Sequence, residues 1–538
     1  MKLSQEAIGN KKIWENAGFI LPCYERNAMI AKTRENPKWL HLGAGNIFRA
    51  FPCSLQQELL NAGITDTGII VAEGFDYEII EKMYQPKDNL SLLVTLKADG
   101  GIEKTVIGSI AESVTMDSAN EVSWRRLKEI FAAPSLQMVS FTITEKGYNL
   151  WDANGVYYPQ VADDLSAGPE KAKSYIGKLT ALLYCRYQAG KLPVALVSMD
   201  NCSHNGTRLY QAIHDYVSVW TERKLVDENF AAYIENPSGV SFPWSMIDKI
   251  TPRPDDSVKQ MLKSAGFEDV EGIITGKNTY VAPFVNAEEP QYLVIEDSFP
   301  NGRPPLDQAG VIFTNRETVD KVEKMKVCTC LNPLHTALAV YGCLLGYTLI
   351  ADEMKDPQLK KLVEGIGYQE GLPVVVDPEI IRPEDFIKEV LVKRIPNPFM
   401  PDTPQRIATD TSQKLGVRFG ETIKAYMASD VLDIKQLKLI PLVLAGWCRY
   451  LLAVDDEGNR FTPSPDPMLK SSQKYLETIH LGDRRKFHTE LEQLLSDCSI
   501  FGVDLYEAGL GEKVESYFAE LTAGIGAVRK TLIKYTDY

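Results

Sequence analysis

Positive charge is scarce in this chain. Its 538 residues include 58 lysines and arginines against 72 aspartates and glutamates, a formal net charge of −14. No basic patch of the kind a nucleic acid or an anionic membrane surface needs is apparent, so neither partner is expected. Apolar runs of about 20 residues, the length that crosses a bilayer, are missing too. The opening stretch MKLSQEAIGNKKIWENAGF has no apolar core, so no secretory leader is expected. The nine cysteines, at 23, 53, 185, 202, 328, 330, 343, 448 and 498, are odd in number and scattered. Cys328-x-Cys330 has no second pair at zinc-ligand spacing, so a reduced, cytoplasmic protein without a bound metal is expected. The chain also lacks G-x-S-x-G, G-x-x-x-x-G-K-[ST] and H-E-x-x-H, which removes three common routes to hydrolysis and phosphoryl transfer.

What is present is too long for one core, so two or three domains are expected. Residues 1–37 read as a polar lead-in with short helices. From Lys38 onward, apolar strands (37–43, 67–73, 137–148, 192–201) alternate with amphipathic helices (48–62, 168–189, 206–223). A hairpin around Asp99-Gly100-Gly101 is inserted at 90–110. This alternation predicts an α/β fold, a Rossmann-like doubly wound parallel sheet over 38–300. Asn301-Gly302-Arg303-Pro304-Pro305 marks a boundary. The apolar spacing beyond Lys321 is mostly helical, which predicts a mostly α-helical domain over 301–538.

The stretch LHLGAGNIFRAF (40–51) ends a buried strand in a glycine turn, Gly43-Ala44-Gly45, and opens a helix through Asn46 and Ile47. Helix N-termini of this kind suit a pyrophosphate, although a plain glycine turn would read much the same. Phe48 stands where a dinucleotide fingerprint has its third glycine, so helix and strand must pack differently. Arg49 offers a partner for a phosphate oxygen. Glu73 ends the second strand, where a carboxylate holds the adenosine ribose and favours NAD over NADP; Asp76 is the weaker alternative. A solvated strand end is the bland reading of Glu73.

Six ordered motifs between residues 43 and 406 resemble the polyol-specific long-chain dehydrogenase (mannitol dehydrogenase) family. They are the Gly43-x-Gly45-x-x-x-Arg49 turn; Thr144-Glu145-Lys146-Gly147-Tyr148; Asp200-Asn201-Cys202-Ser203-His204-Asn205-Gly206; Ser241-Phe242-Pro243-Trp244-Ser245-Met246-Ile247-Asp248-Lys249-Ile250-Thr251-Pro252; Asn332-Pro333-Leu334-His335; and Asp402-Thr403-Pro404-Gln405-Arg406. The resemblance implies NAD as cofactor, with Thr144 and Glu145 joining the glycine turn and Glu73 around it. It implies Asn201 and Asn332 as paired donors to the reacting oxygen, Lys326 as proton carrier and His335 as a substrate hydrogen-bond partner. Asp248, Arg406 and Lys414 would meet the substrate. Five residues separate Lys326 from Asn332, one more than the family's pattern, which leaves Lys324 as a distant second choice. Read without the family, Asn332 before Pro333 is a helix N-cap and Lys326 a solvated lysine.

The chemistry fits that set: reducing a ketone without a metal needs neutral donors for the developing alkoxide and an acid to protonate it. The resemblance implies an NAD-dependent oxidoreductase acting on a small sugar acid or polyol, and D-fructuronate reduced to D-mannonate is the expected reaction. Tagaturonate and neutral polyols such as mannitol are the alternative substrates. A catalytically silent NAD-binding or sugar-sensing protein is the alternative of another class. Relatives are often monomeric, and a monomer is expected here.

Overall fold

A computed structural model describes residues 1–254, 256–483 and 485–537. The chain forms two compact units, Met1–Leu96 with Gly101–Asp320, and Lys97–Gly100 with Lys321–Tyr538.

The first unit is built on six parallel strands: β1 (Trp39–Leu42), β2 (Ile69–Glu73), β3 (Ile110–Thr115), β4 (Met138–Phe141), β5 (Val194–Ser198) and β6 (Val240–Ser241). They lie in the order β3-β2-β1-β4-β5-β6, the arrangement of a dinucleotide-binding sheet. Every residue of β1, β2, β4 and β5 is buried, so these strands are continuous apolar runs and not alternating ones. Their side chains still divide by the two-residue period. Leu40, Leu42, Ile70, Ala72, Val139 and Phe141 feed one core. Trp39, Ile69, Val71, Met138, Ala195 and Val197 feed the other.

Where expectation and structure differ, one residue is usually responsible. The helix expected over 48–62 is two, α1 (Asn46–Ala50) and α2 (Pro52–Asn61), because Pro52 has no N–H to continue the first and starts the second well. The strand expected to reach Tyr148 stops at Phe141, since Asp200 captures the backbone N–H groups of Ile143 and Thr144. Residues 1–37 carry the short helices expected and are also tied into the unit. Phe19–Ile20 pairs with Lys104–Thr105, and buried Arg26 donates to the Gly108 carbonyl at 3.0 Å. The unit boundary falls at Asp320 and not at 300, because Ile312–Thr314 adds in parallel to Val294–Glu296. The inserted hairpin forms as read, with Ser91–Leu96 antiparallel to Ile102–Ile107.

The second unit is helical. Its helices include α3 (Asn332–Leu345) and the wholly buried α4 (Leu439–Tyr450). They approach closely where Gly446 faces Tyr341, whose hydroxyl donates to the Leu442 carbonyl at 2.7 Å. One helical stretch, Arg316–Leu345, is long and apolar enough to cross a membrane by length and composition, a correction to the expectation of none; 78% of its most apolar window is buried, as in a core helix.

Candidate active site

The glycine turn explains itself position by position. Gly43 has φ +109°, and a Cβ there would lie 2.4 Å from the Thr142 carbonyl oxygen, so no other residue fits. Gly45 has ordinary φ, and a Cβ built on it meets nothing within 4 Å. The protein's own packing does not require glycine there, whereas close approach of a pyrophosphate does. Phe48 fills the place of the missing third glycine: it is fully buried and stacks on His41 at 4.1 Å with 12° between the rings. His41 is held between Ser140 Oγ (2.6 Å) and Thr142 Oγ1 (2.8 Å), and burial pushes its pKa down to about 3, so it is a neutral structural ring.

Arg49 corrects an expectation. Its guanidinium is buried, donating to the Ala282 carbonyl at 2.6 Å and to Asn46 Oδ1 at 2.8 Å, so it braces the start of α1 from inside the unit and does not face outward for a phosphate. Glu73 is where a ribose carboxylate belongs. Oε2 accepts from Ala44 N at 2.9 Å, and Oε1 accepts from Phe75 N at 2.8 Å and Asp76 N at 3.2 Å. One carboxylate thereby ties the glycine turn to the end of β2, and Oε2 keeps lone-pair capacity for a hydroxyl donor. Asp76 is committed elsewhere, accepting from Thr275 Oγ1. Two groups missed in the sequence support this loop. Buried Lys178 donates to the Gly74 carbonyl at 2.8 Å and to Tyr77 Oη at 3.1 Å. Burial lowers its pKa to about 8, against the opposing pull of Asp117, Glu73 and Asp164. Tyr175 Oη is buried with no hydrogen-bond partner among the described residues. The open side of Gly45, Glu73 and this orphaned hydroxyl fit a dinucleotide.

Asp200 organises the ends of β4 and β5. It accepts from Ile143 N at 3.0 Å, Thr144 N at 2.8 Å and the Tyr148 hydroxyl. Those bonds hold Thr144 at φ +64°, a conformation a β-branched residue adopts only under constraint. Glu145 is exposed and pairs with Arg208 at 2.6 Å. Asn201 is exposed just beyond β5, at the carboxyl edge where such sheets place ligands. Asn205, which the sequence reading left without a role, is the joint of the region. Its amide donates to the Asp200 and Ser245 carbonyls at 3.0 and 2.9 Å, and its oxygen accepts from Ser245 N at 3.1 Å. That joins the segment carrying Asn201 to the strand Ser245–Asp248, which ends in buried Asp248.

In the second unit the extra residue before Asn332 is taken up by a π-helical turn, Met325–Cys330, in which Leu331 N donates to the Lys326 carbonyl at 3.1 Å. Lys326 lies buried in that turn, not solvated. Leu331 breaks the helix, and Asn332 and Pro333 are the first residues of α3, so Asn332 does not cap it. His335, three residues on, lies 3.6 Å from Asp402 Oδ2. Burial, then Arg418, Arg406, Arg394 and Lys414, push its pKa down to about 3. Four cations outweigh one carboxylate, and the ring is neutral. Asp402 pairs with Arg406. Lys414 donates to the Ile407 carbonyl at 3.4 Å and to that of Thr409, and Arg418 donates to Thr336 Oγ1. Burial lowers the Arg418 pKa to about 10. Arg394 and Arg418 were not foreseen: each sits in a π-helical turn, Val390–Arg394 and Gly416–Gly420, whose phase no 3.6-residue pattern gives. Cations gathered around a neutral imidazole make a site for an anion.

Residues 37–308 match the model of the mannitol dehydrogenase Rossmann domain and residues 318–522 that of the mannitol dehydrogenase C-terminal domain. The chain is 53% identical over 534 residues to a D-mannonate oxidoreductase of Thermotoga maritima, covering 99% of this chain and 98% of that one. It is 29% identical over 473 residues to the D-mannonate oxidoreductase of Escherichia coli, covering 86% of this chain and 90% of that one. Among solved structures, Pseudomonas fluorescens mannitol 2-dehydrogenase in a ternary complex with NAD and D-mannitol aligns with a TM-score of 0.68 at 26% identity, over 99% of both chains.

Proposed function

The chain belongs to the mannitol dehydrogenase family, and from that premise we propose that it is an NAD-dependent oxidoreductase interconverting D-fructuronate and D-mannonate. The observation that carries the choice of a sugar acid is the group of Arg394, Arg406, Lys414 and Arg418 around His335. A planar guanidinium fork matches a carboxylate, and a neutral imidazole beside it serves sugar hydroxyls.

NADH, when bound, supplies the hydride; the chain does the rest. Gly43, Ala44, Gly45, Asn46 and Ile47 form the turn against which the pyrophosphate rests, and Glu73 takes the adenosine ribose. Thr144 and Glu145 border the nicotinamide half. Asn201 and Asn332 donate hydrogen bonds to the carbonyl oxygen as it becomes an alkoxide. Lys326 gives that oxygen its proton in reduction and takes it back in oxidation. His335 and Asp248 bind substrate hydroxyls, and Arg406 and Lys414 bind the carboxylate. The additional residue between Lys326 and Asn332 does not favour a silent relative, since the π turn accommodates it.

A monomer acting in the cytoplasm belongs to the same proposal; an odd number of cysteines scattered along the chain suits a reducing compartment, and light scattering on the purified protein tests the monomer. NADH oxidation measured separately with D-fructuronate, D-tagaturonate and D-fructose tests the substrate. D-Fructuronate is expected to lead D-fructose by about 100-fold in kcat/KM, the worth of a charged hydrogen-bonded pair. Preference for the neutral ketose would sink the sugar-acid reading.

A further inference from the structure

Phe75 stands two residues past Glu73 with 64% of its surface exposed. A bare aromatic ring is common enough on a protein surface, but this one is mounted with unusual firmness. Its own N–H is held by Glu73 Oε1 at 2.8 Å. The preceding Gly74 has no room for a side chain, since a Cβ would lie 2.5 Å from Met116 Cε and from Tyr175 Cε2, and Lys178 grips its carbonyl at 2.8 Å. On the following side, Asp76 accepts from Thr275 Oγ1 and Glu78 accepts from Gly276 N at 3.2 Å. Those two bonds dock a small hairpin, Ile273–Ile274 against Tyr280–Val281, beside the ring. Lys277 at the hairpin's tip holds its ammonium 5.3 Å from the centre of the Phe75 ring.

We infer that Phe75 and Lys277 form a clamp for the adenine ring of the dinucleotide, the purine stacking on Phe75 while Lys277 bears on the stacked pair from the hairpin. The inference rests on the reading that Glu73 takes the adenosine ribose; it adds the base-recognising residues, which neither the glycine turn nor the family motifs supply. Three features support it. The ring follows the ribose carboxylate at the carboxyl edge of the sheet, where the base must lie once the ribose is held. A purine offers a π face to an aromatic side chain and to a cation alike. With 64% of its surface exposed, the ring can take a purine while keeping its contact with Lys277.

Calorimetric titration of the full chain with ADP-ribose, which has the adenosine half and no nicotinamide, tests this directly. Phe75→Ala is expected to weaken ADP-ribose about 10-fold and Lys277→Met about 3-fold. KM for NADH should rise by the same factors while kcat at saturating NADH and the melting temperature hold, and Phe75→Trp should restore binding. Wild-type affinity for ADP-ribose in both alanine and methionine variants would overturn the clamp while leaving the cofactor assignment standing. A fall in kcat matching the loss of affinity would overturn it too, as general damage to the loop. An unmodified protein that binds neither ADP-ribose nor NADH would bring down the cofactor reading itself, and the clamp with it.

Discussion

On the function proposed, the two units recognise their ligands by opposite means. In the first, the nucleotide end is made of backbone geometry: a left-handed glycine, a glycine with open space, and Glu73 fastened by three N–H groups. In the second, the substrate end is made of long cationic side chains, several launched from π-helical turns. A cofactor that never changes can be met by a fixed main chain. A substrate that differs between relatives is met by side chains, which substitution can exchange without disturbing the sheet. The lesson is that recognition in the first unit resides in φ angles and in the second in rotamers.

That contrast can be broken most sharply at Lys326. Lys326→Ala is expected to lower kcat about 1000-fold with NADH affinity unchanged, as loss of a general acid does; near-normal turnover in a stopped-flow trace would remove the proton carrier from the second unit. Gly43→Ala attacks the other side. Its clash with the Thr142 carbonyl and its left-handed backbone should cost about 3 kcal/mol in chemical denaturation and abolish NADH binding, whereas a stable, NADH-binding variant would deny that the turn is geometry-limited. Arg418→Met is expected to raise KM for D-fructuronate about 30-fold and that for D-fructose little; equal losses for both would mean the cation serves the fold.

The most gradual expected effect, spread over several pH units, concerns two histidines. His41 and His335 both have pKa values pushed from 6.5 down to about 3, the first by burial, the second by burial and cations together. The unfolded chain binds a proton at each below pH 6.5 and the native chain does not, so stability falls as pH drops from 6.5 toward 3. The slope is about 1.4 kcal/mol per pH unit for each ring. D-Mannonate should raise the His335 pKa, seen by NMR, and leave that of His41 in place. A shift in both, or in neither, would erase the distinction between the two sites.

How much of this was legible in the sequence follows the same division. The glycine turn, the places of Glu73 and Asn201 at strand ends and the strand–helix alternation could be read because each depends on neighbours in the chain. Arg49 misled, because Gly-x-Gly-x-x-x-Arg shows a cation near a phosphate loop and hides the Ala282 carbonyl, far off in sequence, that claims it. Asn205 and Lys178 were passed over for the same reason: their partners, Ser245 and Gly74, are distant in sequence. Arg394 and Arg418 were invisible for another, since a π turn slips the helical phase by one residue and scatters a shared face.

The turn at Met325–Cys330 also bears on how such proteins diversify. Each residue added to or removed from a helix swings everything upstream by about 100°, yet here the bulge confines that rotation to a single loop of the spiral. Removing Cys328 would restore the four-residue gap of the family pattern, with an ordinary helical turn in place of the bulge. A screen that demands a fixed gap between those two positions would discard proteins of this kind, although the gap itself is elastic and only the final aim of the side chain is under constraint.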